Sequence, residues 1–407
     1  MSFDRRQFLG AATVLVGGSC DPLSEAEADP CEAGGPVTGP ARRITIRMPA
    51  TPGSSTHRLS PDGRTLLLRT HRALTFAPVD GAPVSTFPLE GPSFGLQGDD
   101  DSLAWSDDSR SVWLLKGDTA PSGFSTGPRA CARRWDDGRI EVSPPLRDPP
   151  GRLDQMRWLN GAGLGIASFD TRGGYYRPEL PNTTPALAVI DASSGRVRSP
   201  VLIREALLAA FDSPPGWLWC DVEAGVLMAD GRVRALVRAR ASLVGQNGVD
   251  GLVLWTEGEA AVVLPEEALA GHVVFVEGGR RLLVRLPLAA GGVIYEHGPS
   301  PPPIPVSGDY AGLYDLESRR WIWRLAGRST QRGEGQGLAL SASGERALIG
   351  LPERCDIRGV YGIIDVRTGR VLQRLAATNN ARPTLGFVGE NPWMAQGVFL
   401  DLHEANA

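Results

Sequence analysis

Leu59-Ser60-Pro61-Asp62-Gly63-Arg64 runs straight into the apolar segment Thr65 to Leu68. The order is that of a strand end, a tight turn and a new strand. Ser-Pro opens a turn with φ preset by the pyrrolidine ring, Asp-Gly supplies the residue of positive φ that a short hairpin needs, and Leu66 to Leu68 resume extended packing. Variants recur along the chain. Trp105-Ser106-Asp107-Asp108-Ser109-Arg110 precedes Val112 to Leu115, and Leu340-Ser341-Ala342-Ser343-Gly344-Glu345-Arg346 precedes Ala347 to Ile349. One β-unit is copied down the sequence.

From His57 onward the chain divides into six units of four strands each, a to d. In the first, Arg58 to Ser60, Thr65 to Arg69, Ala73 to Pro78 and Val84 to Leu89 are the strands, and Asp80-Gly81 turns c into d. Asp137-Gly138, Ser194-Gly195 and Thr368-Gly369 hold the same c-d position in later units. A seventh unit is short: Thr384 to Val388, Trp393 to Gln396 and Val398 to His403 give three strands and no fourth. Arg42 to Met48 alternates as a strand should, with Ile44 and Ile46 on one face, yet has no hairpin partner nearby. It fits the empty place. The expectation is an all-β seven-bladed propeller of four-stranded antiparallel blades, closed when the N-terminal strand completes the last blade and so removes two open edges. The unit length, roughly 45 to 60 residues, reflects long loops.

The Leu-Ser-Pro-Asp-Gly-Arg motif resembles the repeats of bacterial WD40-like and TolB-like β-propellers. In rhythm the resemblance covers nearly the whole of the chain after its first forty residues. The motif itself is well matched only at Leu59 to Leu68, and the Trp-Asp dipeptide and structural His of true WD40 blades do not recur. The resemblance implies a superfamily and no functional subfamily, since fold alone does not dictate function.

The chain's start reads as an address. Asp4-Arg5-Arg6-Gln7-Phe8-Leu9-Gly10 resembles the twin-arginine export motif, with Arg5 and Arg6 followed by Phe8-Leu9 and a mildly apolar run to Gly18 that is too short to span a bilayer. Val16-Gly17-Gly18-Ser19-Cys20 resembles a lipobox, with Gly17 where a leucine is usual, and Cys20 is the expected lipidation site. Ala26-Glu27-Ala28 offers a competing cleavage site that releases a soluble protein. The expected organisation is a signal over residues 1–20, a flexible tether over 21–41 and one propeller over 42–407. Export to the bacterial envelope, periplasmic or lipid-anchored, follows. Outside the cytosol thiols can oxidise, and Cys31, Cys131, Cys220 and Cys355 allow three complete pairings, with one or two disulfides expected.

Composition excludes several functions. There are 50 glycines and 33 prolines set between short apolar runs, a pattern of hairpins, and a net charge of −4 leaves no basic footprint for nucleic acid. Lys116 is the sole lysine. No CxxC or HExxH occurs, and His57, His71, His272, His297 and His403 are scattered, each expected to be an isolated surface or packed histidine. Asn160 to Gly165 is Gly-rich but joins two strands, where a dinucleotide fingerprint must open a helix. The ten tryptophans are expected to pack between blades and not to hold a quinone. No cofactor and no metal are expected.

Strand parity puts the a-b and c-d turns on one face of the disc and the b-c and d-a connections on the other. The tight turns fall on the first face. The long segments fall on the second: Gly117 to Arg129, Asp170 to Pro185, Ser242 to Asp250, Ala289 to Tyr310 and Pro352 to Gly359 among the b-c set, Arg204 to Gly216 and Pro265 to Gly271 among the d-a set. Long loops on a rigid scaffold are where binding resides. Tyr175, Tyr176, Arg177 and Glu179, with His297, Tyr310, Arg354 and Arg358, are the candidate binding-face residues, Tyr and Arg being favoured at hot spots. The expected function is a non-catalytic scaffold, monomeric, that binds an envelope protein or small ligand through this face. The alternative is a propeller enzyme acting on a small molecule or sugar at the mouth of the central channel. Converging Asp, Glu or His would favour the enzyme, and an apolar or arginine-rich mouth would favour binding.

Overall fold

The structure, a computed structural model, describes residues 36–46, 56–70, 73–88, 103–119, 125–170, 185–203, 206, 217–242, 249–264, 272–286, 306–329, 337–355, 358–376, 383–396 and 398–405. The described strands form seven sheets. The first blade is β3 (Thr56–Leu59), β4 (Thr65–Arg69), β5 (Ala73–Pro78) and β6 (Ser85–Pro88); the second is β7 (Leu103–Trp105), β8 (Ser111–Thr119), β9 (Ser125–Trp135) and β10 (Ile140–Val142). The third is β11 (Arg152–Trp158), β12 (Leu164–Asp170), β13 (Pro185–Asp191) and β14 (Arg196–Leu202); the fourth is β15 (Trp217–Leu227), β16 (Val233–Ser242), β17 (Val249–Thr256) and β18 (Val262–Leu264). The fifth is β19 (His272–Val276), β20 (Arg281–Arg285), β21 (Val306–Asp315) and β22 (Arg320–Ser329); the sixth is β23 (Leu338–Leu340), β24 (Arg346–Cys355), β25 (Arg358–Asp365) and β26 (Val371–Ala376). The last is β27 (Thr384–Val388), β28 (Asn391–Gln396) and β29 (Phe399–Leu402), completed by β2 (Arg42–Thr45). Within each blade neighbouring strands pair antiparallel, β2 and β29 included. The first strands of successive blades touch one another around the ring, so strand a is innermost. This is the seven-bladed propeller expected from the repeats, closed as expected by the N-terminal strand.

The opening stretch shows why the turns recur. Ser60 is fully buried; its Oγ donates to Asp62 Oδ1 at 2.6 Å and accepts from the Thr65 N–H at 2.9 Å, while Asp62 Oδ1 also accepts from the Arg64 N–H at 3.0 Å. Gly63 sits at φ +74°. Ser106 and Asp108 repeat the arrangement, with Arg110 N–H on Asp108 Oδ1 and Ser111 N–H on Ser106 Oγ. In the sixth blade Ser343 takes the place of the aspartate. The two side chains satisfy the turn's amides, which no strand can reach.

Each blade is apolar on both faces because both faces are buried. Leu66 and Leu68 enter the core between the last and first blades, and Leu67 enters the core between the first and second. Leu282 and Val284 face the fourth blade, and Leu283 faces the sixth. Each of the seven interfaces between neighbouring blades has its own apolar cluster. Period-two side-chain direction thus turns an unbroken leucine run into contacts with two different neighbours. Tryptophan indoles tie neighbours together as well: Trp105 Nε1 donates to Arg58 O at 3.0 Å, Trp113 Nε1 to Gly161 O at 2.9 Å and Trp323 Nε1 to Val366 O at 3.0 Å.

Three expectations need correction. The segment read as a tether over 21–41 contains β1 (Val37–Thr38), which lies parallel on the outer edge of β26 as a fifth strand. Two residues are too few to show a period, so the sequence hides it. Segments read as loops are partly ladder: Gly117 pairs with Pro128 and Thr119 with Ser125, while Arg354 pairs with Gly359 and Cys355 with Arg358. Backbone pairing alone extends these hairpins, without an apolar pattern to announce it. Cys131 and Cys220 are buried thiols, each outside any disulfide, so no complete pairing of the four cysteines forms. Burial pushes the Cys131 thiol up to about 12, which leaves it inert at neutral pH. Cys31 lies outside the described residues, as does the Cys355 side chain.

Candidate functional site

Strand a of each blade leaves its inward edge without a strand partner. At the junction of the third and fourth blades that edge is satisfied by side chains: Gln155 Oε1 accepts the Val222 N–H at 2.8 Å, and Arg157 Nε donates to Val222 O at 2.9 Å. Both reach from β11 to β15. Immediately after Val222 the register with β16 slips, because Val222 pairs with Val237 and Ala224 with Leu236, leaving Glu223 as a bulge. A bulge re-aims its side chain. Glu223 meets Arg238 of β16, Nε to Oε1 at 2.6 Å, and Arg238 is cross-strand neighbour to Asp221.

The fifth blade brings its own pair to this end of the wall. His272 begins β19 and lies directly opposite Arg285, the last residue of β20. Both therefore sit at the end of the blade that carries the b-c and d-a connections. Arg285 is buried, its Nε donating to Gly350 O at 3.0 Å and its Nη1 to Tyr310 O at 2.7 Å and to Leu286 O, with the guanidinium over the Tyr310 ring. Burial lowers this guanidinium to about 10, so it stays charged at neutral pH. His272 is exposed, with charged side chains of the third, fourth and fifth blades around it. Desolvation by its neighbours lowers its pKa first; Glu223 opposes that, and Arg285, Arg238 and Arg157 add to it. At neutral pH the imidazole is uncharged. Among the described residues this region holds Arg157, Arg238 and Arg285 with Asp221 and Glu223, and Glu223 has one carboxylate oxygen committed to Arg238.

The predicted binding-face residues fare unevenly. Tyr175, Tyr176, Arg177, Glu179 and His297 lie outside the described residues. Tyr310 was expected on a loop, but β21 extends through it and it is 6% exposed in the core between the fifth and sixth blades, under Arg285. Arg354 and Arg358 lie on β24 and β25 at the tip of the sixth blade's b-c hairpin, on the expected face. Of the scattered histidines, His57 and His403 are buried, His403 beside Asp401 and Arg43, His71 lies outside the described residues, and His272 lies near Glu223, Arg285, Arg238 and Arg157. Sequence reasoning missed Arg157, Glu223, Arg238 and Arg285. The signal was present as ionisable residues inside apolar runs, such as Asp221 and Glu223 in the Trp217 to Leu227 strand and Arg285 after Leu282-Leu283-Val284. The Gly-rich Asn160 to Gly165 run is a hairpin turn in which Asn160 Oδ1 accepts from Ala162 and Leu164 N–H, each at 3.1 Å. Among the described residues no three His, Cys, Asp or Glu side chains gather as a metal site, and no helix is long and apolar enough to cross a membrane.

Fold and site together define a seven-bladed β-propeller whose third, fourth and fifth blades carry charged side chains along neighbouring inner strands. Solved structures of similar shape include Kuenenia stuttgartiensis hydrazine synthase, at 13% identity and TM-score 0.47 over 89% of this chain and 99% of that one. TolB from Acinetobacter baumannii matches at 13% identity and TM-score 0.37, over 80% of this chain and 63% of that one, and a chain of a mitotic checkpoint complex at 10% and 0.43, over 98% and 99%. Likenesses this distant say nothing of activity. No protein-family model matches the chain, and no curated protein matches its sequence.

Proposed function

We propose that the protein is a non-catalytic binding module of the bacterial cell envelope, exported by the twin-arginine route, held at a membrane by lipid on Cys20, and binding on the face of the b-c and d-a connections. The observation that carries the binding reading is this stretch of inner wall, where side chains from the third, fourth and fifth blades lie near one another and, among the described residues, the guanidinium groups of Arg157, Arg238 and Arg285 stand beside the carboxylates of Asp221 and Glu223. Arginine forks recognise ligands without doing chemistry on them. An enzyme at this place needs a carboxylate disposed toward substrate, and Glu223 turns instead to Arg238. The rigid ring positions the wall, and the long connections around it supply contacts for a small ligand or an envelope protein.

A thermal-shift screen of the mature chain against metals, quinones, sugars and small anions tests this. Replacing residues 171–184 by a four-residue linker leaves the cooperative melt and abolishes the ligand-induced rise; a rise kept in full places the site elsewhere. Turnover of any bound compound replaces the binding reading with the enzyme. The address is tested separately: Arg5→Lys with Arg6→Lys traps the protein in the cytoplasm, and Cys20→Ala releases it from membranes. Normal export of the first variant, or membrane partition of the second, removes that part of the proposal.

A further inference from the structure

The link between β1 and β2, residues 39–41, crosses from the sixth blade to the seventh, and both of its ends are fixed. Before it, Gln373 Nε2 donates to Thr38 Oγ1 at 3.4 Å and to Glu404 O at 3.2 Å, which ties the start of the link to residue 404. After it, Arg42 lies opposite Leu402 in the antiparallel ladder. The link therefore runs past His403, which lies between those two anchors. His403 is 3% exposed and both ring nitrogens are buried; among the described residues neither has a hydrogen-bond partner. A neutral imidazole carries one N–H, so the docked chain already leaves a donor unsatisfied, and a second proton would add a buried charge without an acceptor. The nearby carboxylate of Asp401 is itself buried and engaged by Arg43 at 2.8 Å. From the sixth blade, β26 brings Gln373, while Arg374 lies with Val37 on the side toward the fifth blade, and β25 brings Tyr361. β28 brings Met394, and Glu404 follows His403 as an exposed residue.

We propose that His403 and the 39–41 link form an acid-released strap: protonation of the ring expels β1 from the edge of β26 while β2 stays in the seventh blade. Burial lowers the pKa of His403; Asp401 and the Gly39 backbone oppose this, and Arg43 adds to it. Once the strap lifts, the ring meets water and returns to the ordinary imidazole value of about 6.5. The released state thus takes up its proton at a higher pH than the docked state. Docking is fully favoured above about pH 6.5 and loses ground as pH falls through that value toward the lower, docked one. β1 yields before β2 because it is held over two residue pairs, Val37 with Arg374 and Thr38 with Leu375, whereas β2 pairs over four and is followed by Ile46 in the core. Lifting it bares the outer edge of β26 and frees the chain before Arg42. In acid the sixth blade presents an unpaired strand edge that it covers at neutral pH.

Hydrogen–deuterium exchange of the full chain, read by mass spectrometry on peptides covering residues 36–41, tests the strap at pH 7.5 and 5.0. After correction for the intrinsic pH dependence of exchange, protection of this segment falls about tenfold or more between the two, while that of β24 and β25 holds. His403→Gln keeps the segment equally protected at both pH values. Thr38→Pro removes the Thr38 N–H and hydroxyl and loosens the strap; the His403 ring, followed by NMR and assigned by the resonance that His403→Gln lacks, then titrates closer to the ordinary imidazole value than in the wild type. If His403→Gln lacks a cooperative melt, His403→Leu takes its place, since a buried apolar side chain fills the site with no proton to gain. Equal protection of residues 36–41 at pH 7.5 and 5.0 overturns the proposal. So does an acid-induced loss that persists unchanged without the imidazole, because another group then releases the strand. A His403 titration that is the same in wild type and Thr38→Pro overturns the coupling of ring to strap.

Discussion

In the third, fifth and sixth blades a single carboxylate at the end of strand c does much of the work of turning the outer hairpin. Asp315 Oδ1 accepts the Ser318 N–H at 2.8 Å and its hydroxyl at 2.9 Å, and Asp365 Oδ1 accepts the Thr368 N–H at 2.7 Å and its hydroxyl at 2.8 Å. Asp191 repeats the pattern with Ser193 and Ser194. Backbone donation from Ser318 lowers the Asp315 pKa, and the Thr368 hydroxyl lowers that of Asp365. A depressed folded pKa means that the unfolded chain takes up protons first as pH falls. The stabilisation is complete above the unfolded aspartate value of about 3.9 and is lost as pH drops below it toward the folded values. Urea midpoints should therefore hold between pH 7 and 5 and fall steeply below 4, and Asp365→Asn should be weaker at pH 7 but show a shallower acid limb. An unchanged acid limb in that variant would show that Asp365 contributes nothing to it. Sequence reading caught the Gly that closes the Asp191 and Asp365 turns and missed the Asp in all three, because an acidic residue ending an apolar strand looks like any exposed charge until its partners two or three residues on are seen in place.

Tight turns do a second job between blades. The c-d turn glycine of one blade covers an aromatic of strand d in the blade before: a Cβ on Gly369 would lie 2.7 Å from Trp323, and one on Gly138 would lie 2.7 Å from Phe87. Both glycines have positive φ. Gly344 has the same backbone, φ +73°, with nothing within 4 Å of the added carbon. Gly344→Ala should cost about 1–2 kcal/mol from backbone strain alone, and Gly369→Ala about 1–3 kcal/mol more because Trp323 must move. Equal destabilisation in chemical denaturation would mean that Trp323 yields freely. At this scale the sequence was most legible: Asp-Gly, Ser-Gly and Thr-Gly mark the turns whatever surrounds them, so the strand count and blade boundaries follow. The channel mouth was not legible, because Arg157, Glu223, Arg238 and His272 come from three blades and a bulge, and only closure of the ring sets them side by side. Their strands could be read one at a time, but their meeting could not.

For the whole molecule, the N-terminal segment grips two blades. β1 lies on the sixth and β2 on the seventh, where Arg43 pairs with the buried Asp401 at 2.8 Å and Ile44 and Ile46 enter the core against the first blade. A chain starting at residue 42 keeps β2 and should fold cooperatively with a lowered Tm. A chain starting at residue 47 lacks the outer strand of the last blade, buries Asp401 without its arginine and exposes the β29 edge; it should aggregate or melt without cooperativity. Size-exclusion chromatography and calorimetry of the two chains decide this, and a monomeric, cooperative chain from residue 47 would show that the ring does not depend on its clasp.

Gln373 ties the two ends of the described chain together: its Nε2 reaches Thr38 Oγ1 at 3.4 Å and Glu404 O at 3.2 Å. Segments from the first and last strands of the ring thus meet at one side chain. Until residues near 402 have emerged, β2 has no β29 to lie against, and six blades wait on an open ring. Closure of the ring is therefore the last pairing that this fold can make, and a chain interrupted before β29 keeps an unpaired β-edge that would recruit other chains.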